Sequence, residues 1–489
     1  MSELDRSAVV RMVTAHGFNV EPAAVERLQS MPDPASTIES ALAALPSDAI
    51  KLTLNDLPEE NGNPLVSTGD QPENATTAAG SAGEISGDSH QELTISGDIT
   101  GKSTGTGSYD DFVTLFRDRY TKLANMISGR VQHRSIRSLG DLRGGTELGI
   151  IGMVNDIRST KNGHWLIELE DETGVFPALI LKDREAADEI DDLLTDEVIG
   201  ITGTLSDDGE ILFADGIAFP DIPRTRTSGT ADRPVEAALV SDIHVGSNEY
   251  LADAWHRFAE WLHSDEAARV EYLLIAGDMV EGVGVYPGQD ADLAIVDVYE
   301  QYEAFSEELK AIPGDLEVIM IPGNHDAVRL AEPQPAFDED IASLLDSHNV
   351  TITANPSTIE IEGVSFLMYH GASFDEVIAE CPEPVSYEHP EEAMVRLLRK
   401  RHLAPRYGGG MRIAPEESDY LVIDPVPDVF HAGHVHTFGV TSYRGVRAVN
   451  TGCWQAQTDF QRRNNLEPDP AHAAIVSLDT LDLTVRKFI

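Results

Sequence analysis

Residues 427–439 read PDVFHAGHVHTFG, and three histidines fall within six positions directly after a short apolar run. An apolar run that ends in imidazole side chains is typical of a buried strand that carries a site at its carboxyl end. A single histidine on a strand is more often a structural group than a ligand. Whether this stretch is a site therefore depends on how the neighbouring strands end.

Four other segments between residues 235 and 371 have the same form, an apolar run followed by charged, amide or imidazole side chains. They read VEAALVSDIH, EYLLIAGDMVE, LEVIMIPGNHD and VSFLMYHG. Helical segments lie between several of them, which predicts an α/β arrangement in which the strand ends meet at one edge. Five such endings in one domain favour a site over coincidence.

The polar side chains at these strand ends form one mixed donor set. They are carboxylates, imidazoles and one amide: Asp242, His244, Asp278, Asn324, His325, His370, His434 and His436. The mixture suits Mn²⁺, Zn²⁺ or Fe, and it is too rich in nitrogen for a Ca²⁺ site. We therefore expect a metal centre here, with His431, which precedes the last motif, outside the ligand set.

The chain is strongly acidic, with 489 residues and a net charge of −49, and its 35 basic residues include only 8 lysines. Acids occur along the whole length, which favours adaptation to molar salt over an acidic tail on an ordinary protein. Salt at that level shortens the Debye length to roughly 3 Å, so the acidity does not argue against a nucleic-acid partner. The two cysteines form no CxxC pair, and no run of 18 apolar residues occurs, so we expect a cytoplasmic protein without a membrane span.

The first half of the chain predicts three units. Residues 1–48 show apolar residues at helical spacing and predict a small helical unit. Residues 49–107 are acidic, rich in Gly, Ser and Thr and without aromatic residues from position 51, which predicts a disordered linker. Residues 108–230 predict a lead-in helix over 110–130 followed by a β-barrel, and residues 231–489 hold the strand-end motifs.

The barrel prediction rests on five strand-like runs between residues 147 and 220. Asn162-Gly163 and Asp208-Gly209 mark turns, and the helical segment REAADEIDDLL lies between the third and fourth runs. This is the order of an OB-fold, which either binds single-stranded nucleic acid or serves as a structural platform. The best candidates for nucleic-acid contact are Trp165, Phe176 and Lys182.

The motifs DIH, GDMVE, GNHD, YHG and GHVH resemble, in that order, the five motifs of the calcineurin-like metallophosphoesterases. The resemblance covers residues 235–455 and implies a β-sandwich flanked by helices, with two metals about 3.5–4 Å apart. It implies one metal held by Asp242, His244 and His436, a second by Asn324, His370 and His434, and Asp278 between them. The expected fold class is therefore multidomain α+β: a small N-terminal helical unit, an OB-fold β-barrel and a calcineurin-like metallophosphoesterase α/β sandwich.

The same resemblance implies an acid that protonates the leaving oxygen. The histidine of GNHD, His325, would be that general acid, and Glu281, three residues after Asp278, would orient it. The alternative is that Glu281 is a solvated loop acid.

Further stretches resemble the small subunits of archaeal family D DNA polymerases. They are GMVNDIRSTKNGH, GVGVYPGQ, AEPQPAF, RHLAPRYGG and NTGCWQAQTDFQRR. This resemblance implies a Mn²⁺-dependent 3′→5′ exonuclease that proofreads for a separate large subunit, with primer–template and single-stranded DNA as substrates and Mg²⁺ used by the polymerase complex. The alternatives are a catalytically silent assembly subunit, and a free-standing phosphatase or cyclic-nucleotide phosphodiesterase.

One segment is basic in an otherwise acidic chain. Residues 393–415 contain no acid, and their candidate contact residues are Arg399, Lys400, Arg401, Arg406 and Arg412. These side chains are expected to bind DNA phosphates or an acidic partner surface. The alternative is that basic residues complement the dipole of a helix C-terminus. Arg462 and Arg463 are weaker candidates of the same kind.

Overall fold

The computed structural model describes residues 9–10, 12–13, 16, 18–31, 34–45, 51–58, 93–345 and 349–489. The N-terminal unit contains strands β1 and β2 and helices α1 and α2: Asn19–Val20, Lys51–Leu52, Pro22–Gln29 and Pro34–Leu42. The β2 strand pairs in parallel with β1, and it buries Leu52, while Leu57 is also buried. The unit therefore extends beyond the predicted boundary at residue 48, because a later segment completes its core.

The end of the predicted linker is ordered, which corrects that prediction for residues 93–107. Thr94–Ser96 forms strand β3 and pairs antiparallel with residues 358–360, and Ile99 is fully buried. Ser103 and the backbone amides of Thr104 and Gly105 donate hydrogen bonds to Glu416. Pairing with a sheet edge and a buried carboxylate supplies the order that composition alone could not predict. The rest of the predicted linker, residues 59–92, lies outside the described residues.

Helix α3, Tyr109–Ser128, leads from this segment into the barrel. Ser108 caps it, since its hydroxyl accepts a hydrogen bond from the Asp111 amide and Asp111 bonds back to the Ser108 amide. On its buried face, Arg119 donates to Asp419 at 2.7 Å. Asp419 also contacts the buried His402 at 2.9 Å, so α3 is fixed to the C-terminal domain as well as to the barrel.

Five strands form a closed barrel in the order β4-β5-β6-β8-β7. In chain order, the strands are β4 Glu147–Ser159, β5 Trp165–Asp171, β6 Gly174–Ile180, β7 Val198–Leu205 and β8 Leu212–Ala218. The predicted turns are confirmed, with Gly163 and Gly209 at φ of 76° and 78°. A helical segment does lie between the third and fourth strands, at Glu185–Asp192, but it is a 3₁₀ helix.

The C-terminal domain contains two six-stranded sheets. Their strands, from β9 to β19, are Glu236–Val240, Val270–Ala276, Glu317–Ile321, Val350–Ile352, Ser357–Ile361, Val364–Met368, Val429–Ala432, Phe438–Tyr443, Val446–Thr451, His472–Ser477 and Leu483–Lys487. The first sheet has the order β12-β11-β10-β9-β18-β19 and the second β16-β17-β15-β14-β13-β3. Strands β9 to β12 are parallel, as are β14, β15 and β17. All five strand-like runs that precede the motifs are therefore strands, as predicted.

The helices of this domain are α4 Ala252–Leu262, α5 Val298–Leu309, α6 Glu339–Ala342, α7 Phe374–Glu380, α8 Pro390–Lys400 and α9 Asp459–Arg463. The first five cover the outer faces of the two sheets, whereas α9 buries none of its residues. Residues such as Phe366, Met368 and Val449 fill the space between the sheets. Trp255 and Tyr302 of α4 and α5 pack on the first sheet, whereas Leu397 and Phe374 of α8 and α7 pack on the second. The result is a layered α/β/β/α domain.

The basic end of α8 binds acids of the barrel domain, which corrects the prediction that its side chains face DNA or a partner. Arg399 pairs with Asp192 at 2.7 Å, and Lys400 pairs with Glu197 at 2.8 Å, with both members of the second pair buried. The Arg401 side chain is also buried and donates to a backbone carbonyl. The basic segment does bind an acidic surface, but that surface belongs to the barrel domain of the same chain.

The remaining two residues of the basic segment lie nearer the surface. Arg406 pairs with Glu380, and Arg412 is exposed. Within the described part of the chain, no helix has both the length and the apolar composition needed to cross a bilayer.

Candidate metal centre

The predicted donor residues follow the carboxyl ends of parallel strands in both sheets. Asp242 and His244 follow β9, Asp278 follows β10, and Asn324 and His325 follow β11. On the second sheet, His370 follows β14, while His434 and His436 follow β15. Because both sheets present these ends at the same side, side chains from five separate segments meet in one cluster.

One half of the cluster joins the first and last motifs. His244 Nε2 lies 3.0 Å from His436 Nε2. Asp242 Oδ1 lies 3.9 Å from the first of these nitrogens and 3.5 Å from the second. Two imidazole nitrogens at 3.0 Å can share at most one proton between them. A cation placed among these donors would satisfy all three side chains, so the residues fit a divalent metal.

The other half contains the amide. Asn324 Oδ1 lies 3.0 Å from His370 Nε2 and 2.9 Å from His434 Nδ1. Asp278 Oδ2 lies 3.3 Å from His370 Nε2 and 3.7 Å from His244 Nε2, so this carboxylate stands between the two halves. The structure thus brings all seven predicted ligands together.

The backbone at these residues is in the left-handed region, which a non-glycine side chain rarely occupies. Five of the seven have positive φ: Asp242 at 52°, His244 at 56°, Asp278 at 53°, His434 at 74° and His436 at 61°. Gly433 is required for a different reason, because a Cβ at this position would lie 2.2 Å from Asp242 Oδ2. Strain concentrated at one cluster indicates a functional site.

Charge in the cluster favours cations. Burial lowers the pKa of His370, but the charges of Asp278 and Asp242 raise it by more than burial lowers it, so the pKa is about 10. His244 behaves in the same way, and its pKa is raised to about 9 mainly by Glu281 against the effect of burial. The buried carboxylates therefore create a negative potential that divalent metals would neutralise.

Glu281 does not stand where the sequence predicted. The residue is 2% exposed, which excludes the solvated loop acid. Oε2 lies 2.9 Å from His244 Nδ1, whereas Oε1 lies 4.0 Å from His325 Nδ1, beyond hydrogen-bond distance. His325 Nδ1 instead lies 2.7 Å from the backbone carbonyl of Glu281. The Glu281 carboxylate therefore contacts His244 and not His325.

Three polar residues outside the predicted set also support the cluster. Asp375 Oδ2 lies 3.1 Å from His434 Nε2, and the Gln461 side-chain amide lies 2.9 Å from His436 Nδ1. Asp326 is buried and accepts a hydrogen bond from the Gly323 amide, which shapes the GNHD turn. Only Asp326 carried a sequence signal, its place in that motif. His431 is buried, with Nε2 3.3 Å from Thr451 Oγ1, and burial lowers its pKa to about 3.

The cluster opens into a cavity of about 530 Å³. Its lining includes His244, Asp278, His325, Tyr286, Phe460 and Asn464. A cavity of this size is large enough for a nucleotide-sized ligand.

A two-sheet α/β domain with strained carboxylate, imidazole and amide donors at its strand ends is typical of α/β proteins that bind divalent metals at that edge of the sheets. Residues 237–440 match the family model of the B subunits of DNA polymerases alpha and epsilon. The DNA polymerase II small subunit of Halobacterium salinarum is 55% identical over 98% of this chain and 98% of its own length. The small subunit of Archaeoglobus fulgidus is 40% identical over 97% of this chain and 96% of its own.

The chain therefore belongs to the family of DNA polymerase II small subunits, and the family predicted from the sequence is confirmed. A solved structure described as a novel archaeal phosphodiesterase covers 52% of this chain and 99% of its own, at 13% identity and a TM-score of 0.28. A similarity of this size supports no conclusion about fold or activity.

Proposed function

We propose that the chain is the small subunit of a heteromeric DNA polymerase and that its metal centre hydrolyses phosphodiester bonds at DNA 3′ ends. The observation that carries the proposal is the convergence of seven predicted ligands from five segments on one strained, buried cluster that opens into a cavity. Family membership supports the large polymerase subunit as the partner. We interpret the barrel as an OB-fold and the C-terminal domain as a metallophosphoesterase sandwich.

The ligands divide into two sets. Asp242, His244 and His436 would hold one metal, Asn324, His370 and His434 the other, with Asp278 shared. When bound, two divalent cations neutralise charge on the phosphoryl oxygens and activate the attacking water. The mixed nitrogen and oxygen donors favour Mn²⁺, with Zn²⁺ or Fe as alternatives.

In this proposal His325 is the general acid, which gives a proton to the leaving oxygen. Its backbone amide donates to Asp278 Oδ1 at 2.8 Å, which places the ring beside the cluster. The Glu281 carbonyl accepts from Nδ1, which leaves Nε2 as the nitrogen that gives a proton to the departing 3′ oxygen. Glu281 itself acts on His244, so its role is to orient a metal ligand.

The barrel offers limited support for nucleic-acid binding. Trp165 lines a cavity between the barrel and the C-terminal domain together with Arg406. Phe176 is partly exposed and Lys182 is exposed, so these two remain the barrel's candidates for contact with a single strand.

The proposal is tested by trimming of a 3′-mismatched primer–template in high KCl with Mn²⁺, with and without the large subunit. We expect the wild type to remove the mismatched nucleotide, and Asp278→Asn and His325→Ala to lose this activity while remaining folded. Asp253→Asn, an exposed acid on α4, is the matched control and should cut normally.

Two results would point to the alternatives. Complex formation without cutting by any variant would favour a silent assembly subunit. Turnover of small phosphoesters with no action on DNA would favour a free-standing phosphatase or cyclic-nucleotide phosphodiesterase.

A further inference from the structure

Two segments that supply no metal ligand meet at the mouth of the cavity. They are residues 282–289, GVGVYPGQ, and residues 454–463, WQAQTDFQRR. They bring the rings of Tyr286 and Phe460 to a centroid separation of 6.4 Å with an interplanar angle of 31°. Phe460 is 57% exposed and lines the cavity beside the cluster. A single exposed apolar residue is common, so its position here matters more than its exposure.

The two rings continue a row that starts at the proposed acid. The His325 ring lies 6.5 Å from the Tyr286 ring, which in turn lies next to Phe460. The Tyr286 hydroxyl donates to Asp292 at 3.0 Å, so the phenol end is anchored. An aromatic surface therefore begins directly beside the cluster and runs outward along the cavity.

Phe460 is fixed relative to the metal centre by its own short helix. Thr458 caps α9 in a reciprocal arrangement with Gln461. The Gln461 amide contacts His436, a proposed ligand, at 2.9 Å. The residue next to Phe460 thus ties the helix to the cluster, so the ring keeps a defined distance from any phosphate held there.

The same helix carries positive charge. Arg462 and Arg463 are exposed at its last turn, and Arg462 also pairs with Asp459. In a chain of net charge −49, two arginines beside an aromatic ring at a cavity mouth suit an anionic ligand that also has a flat face.

We propose that Phe460 and Tyr286 form a stacking subsite for the base of an unpaired 3′-terminal nucleotide. The inference rests on the proposed function, since it assumes that a DNA phosphate lies at the cluster. Stacking tolerates any base because every base has a π-face. A paired terminal base is held by its partner and its neighbour, so the subsite favours frayed or mismatched ends over matched ones.

The test is a binding cycle on the full-length chain with Mn²⁺, using oligonucleotides whose 3′-terminal linkages are hydrolysis-resistant phosphorothioates. Fluorescence anisotropy compares a 5′-labelled single-stranded oligonucleotide with the same oligonucleotide ending in a 3′ abasic residue, each with wild type and with Phe460→Ala. We expect either change alone to weaken binding by roughly 10- to 100-fold, as for loss of one stacked base. The second change should then add less than about twofold, because both remove the same contact.

Variants with matched side chains separate stacking from folding. Phe460→Tyr keeps a ring and should retain the wild-type preference for the base-bearing end. Tyr109→Ala removes an 81% exposed aromatic residue at the start of α3 and should bind as the wild type does. Circular dichroism of each variant confirms its fold.

The outcomes also separate this subsite from the proposed function. If Phe460→Ala weakens both oligonucleotides equally, or neither, the subsite is wrong even where Mn²⁺-dependent trimming is robust. If the cycle holds and no form trims DNA with Mn²⁺, the stacking subsite stands and the nuclease proposal fails.

Discussion

Glu281 serves two histidines with two different groups. Its carboxylate lies against His244 Nδ1 and its backbone carbonyl against His325 Nδ1. Gln455 donates to the same carboxylate at 2.8 Å, and Gln455 also donates to Ser247. Burial raises the pKa of Glu281, but contact with His244 and nearby groups lowers it to about 2, so the side chain is ionised wherever the protein is folded near neutral pH. It can therefore hold the proton of the His244 imidazole in place.

Replacing this acid should weaken one metal site. Glu281→Gln keeps the shape but removes the charge that orients His244, and we expect metal affinity there to fall by about 10- to 100-fold. Isothermal titration with Mn²⁺ measures the change, and Glu307→Gln, an exposed acid on α5, is the control. An unchanged titration with Glu281→Gln would show that the carboxylate is only structural.

The identities of the donor residues could be predicted from the sequence, but their contacts could not. Asp278 and His370 were predicted as donors because each follows an apolar, strand-like run. The three-residue spacing from Asp278 to Glu281 placed the acid near the site, yet which imidazole it faces depends on the left-handed backbone at Asp278 and on side-chain length. Phe460 and Gln461 lie in the stretch NTGCWQAQTDFQRR, but no apolar run ends in them, so the strand-end pattern predicted no role for either.

At the level of elements, α8 joins the two main domains through a buried ion pair. Lys400→Met would leave Glu197 buried and unpaired, and we expect a loss of about 3–5 kcal/mol in the free energy of unfolding. Adding Glu197→Gln should recover much of this loss, because the uncompensated charge is removed. Chemical denaturation in high salt measures both variants, and equal stability of the wild type and Lys400→Met would refute the expectation.

Helix α3 is held by a second buried group, which should make its docking sensitive to pH. Burial, and then the charge of Arg119, lower the pKa of His402 from 6.5 to about 4. The folded state therefore keeps the imidazole neutral, so the stability it contributes is complete above pH 6.5 and is lost as the pH falls towards 4.

The expected loss from His402 is on the order of 3 kcal/mol over that pH range. Unfolding free energies of the wild type and His402→Gln at several pH values measure it. The variant should show a shallower decline between pH 7 and 4, and parallel curves would contradict the assignment.

Elements with strong local patterns were predictable, whereas those that depend on a distant partner were not. The barrel strands and α3 followed from periodicity and turn residues. Strand β3 did not, because its order comes from pairing with residues 262 to 266 positions later in the chain. The basic segment was misassigned for the same reason, since composition shows a charge and cannot show which surface meets it.

For the whole molecule, we expect the net charge to make the stability of the fold depend on salt. A net charge of −49 produces self-repulsion that screening relieves as the Debye length falls from about 10 Å at 0.1 M salt to about 3 Å at 1 M. We expect the protein to unfold cooperatively when KCl is lowered well below about 1 M. Circular dichroism measures this unfolding. NaCl at equal ionic strength should protect equally if screening is the cause, and a fold equally stable in 0.1 M salt would refute the prediction.

We propose that the strand-end cluster holds two metals, with Asp278 between them. The most direct measurement is a Mn²⁺ titration in high KCl followed by electron paramagnetic resonance, on the wild type and on Asp278→Asn. We predict two tightly bound Mn²⁺ per chain with magnetic exchange between them, and loss of that exchange in the variant. A spectrum of isolated Mn²⁺ ions that is the same in both proteins would contradict a two-metal centre.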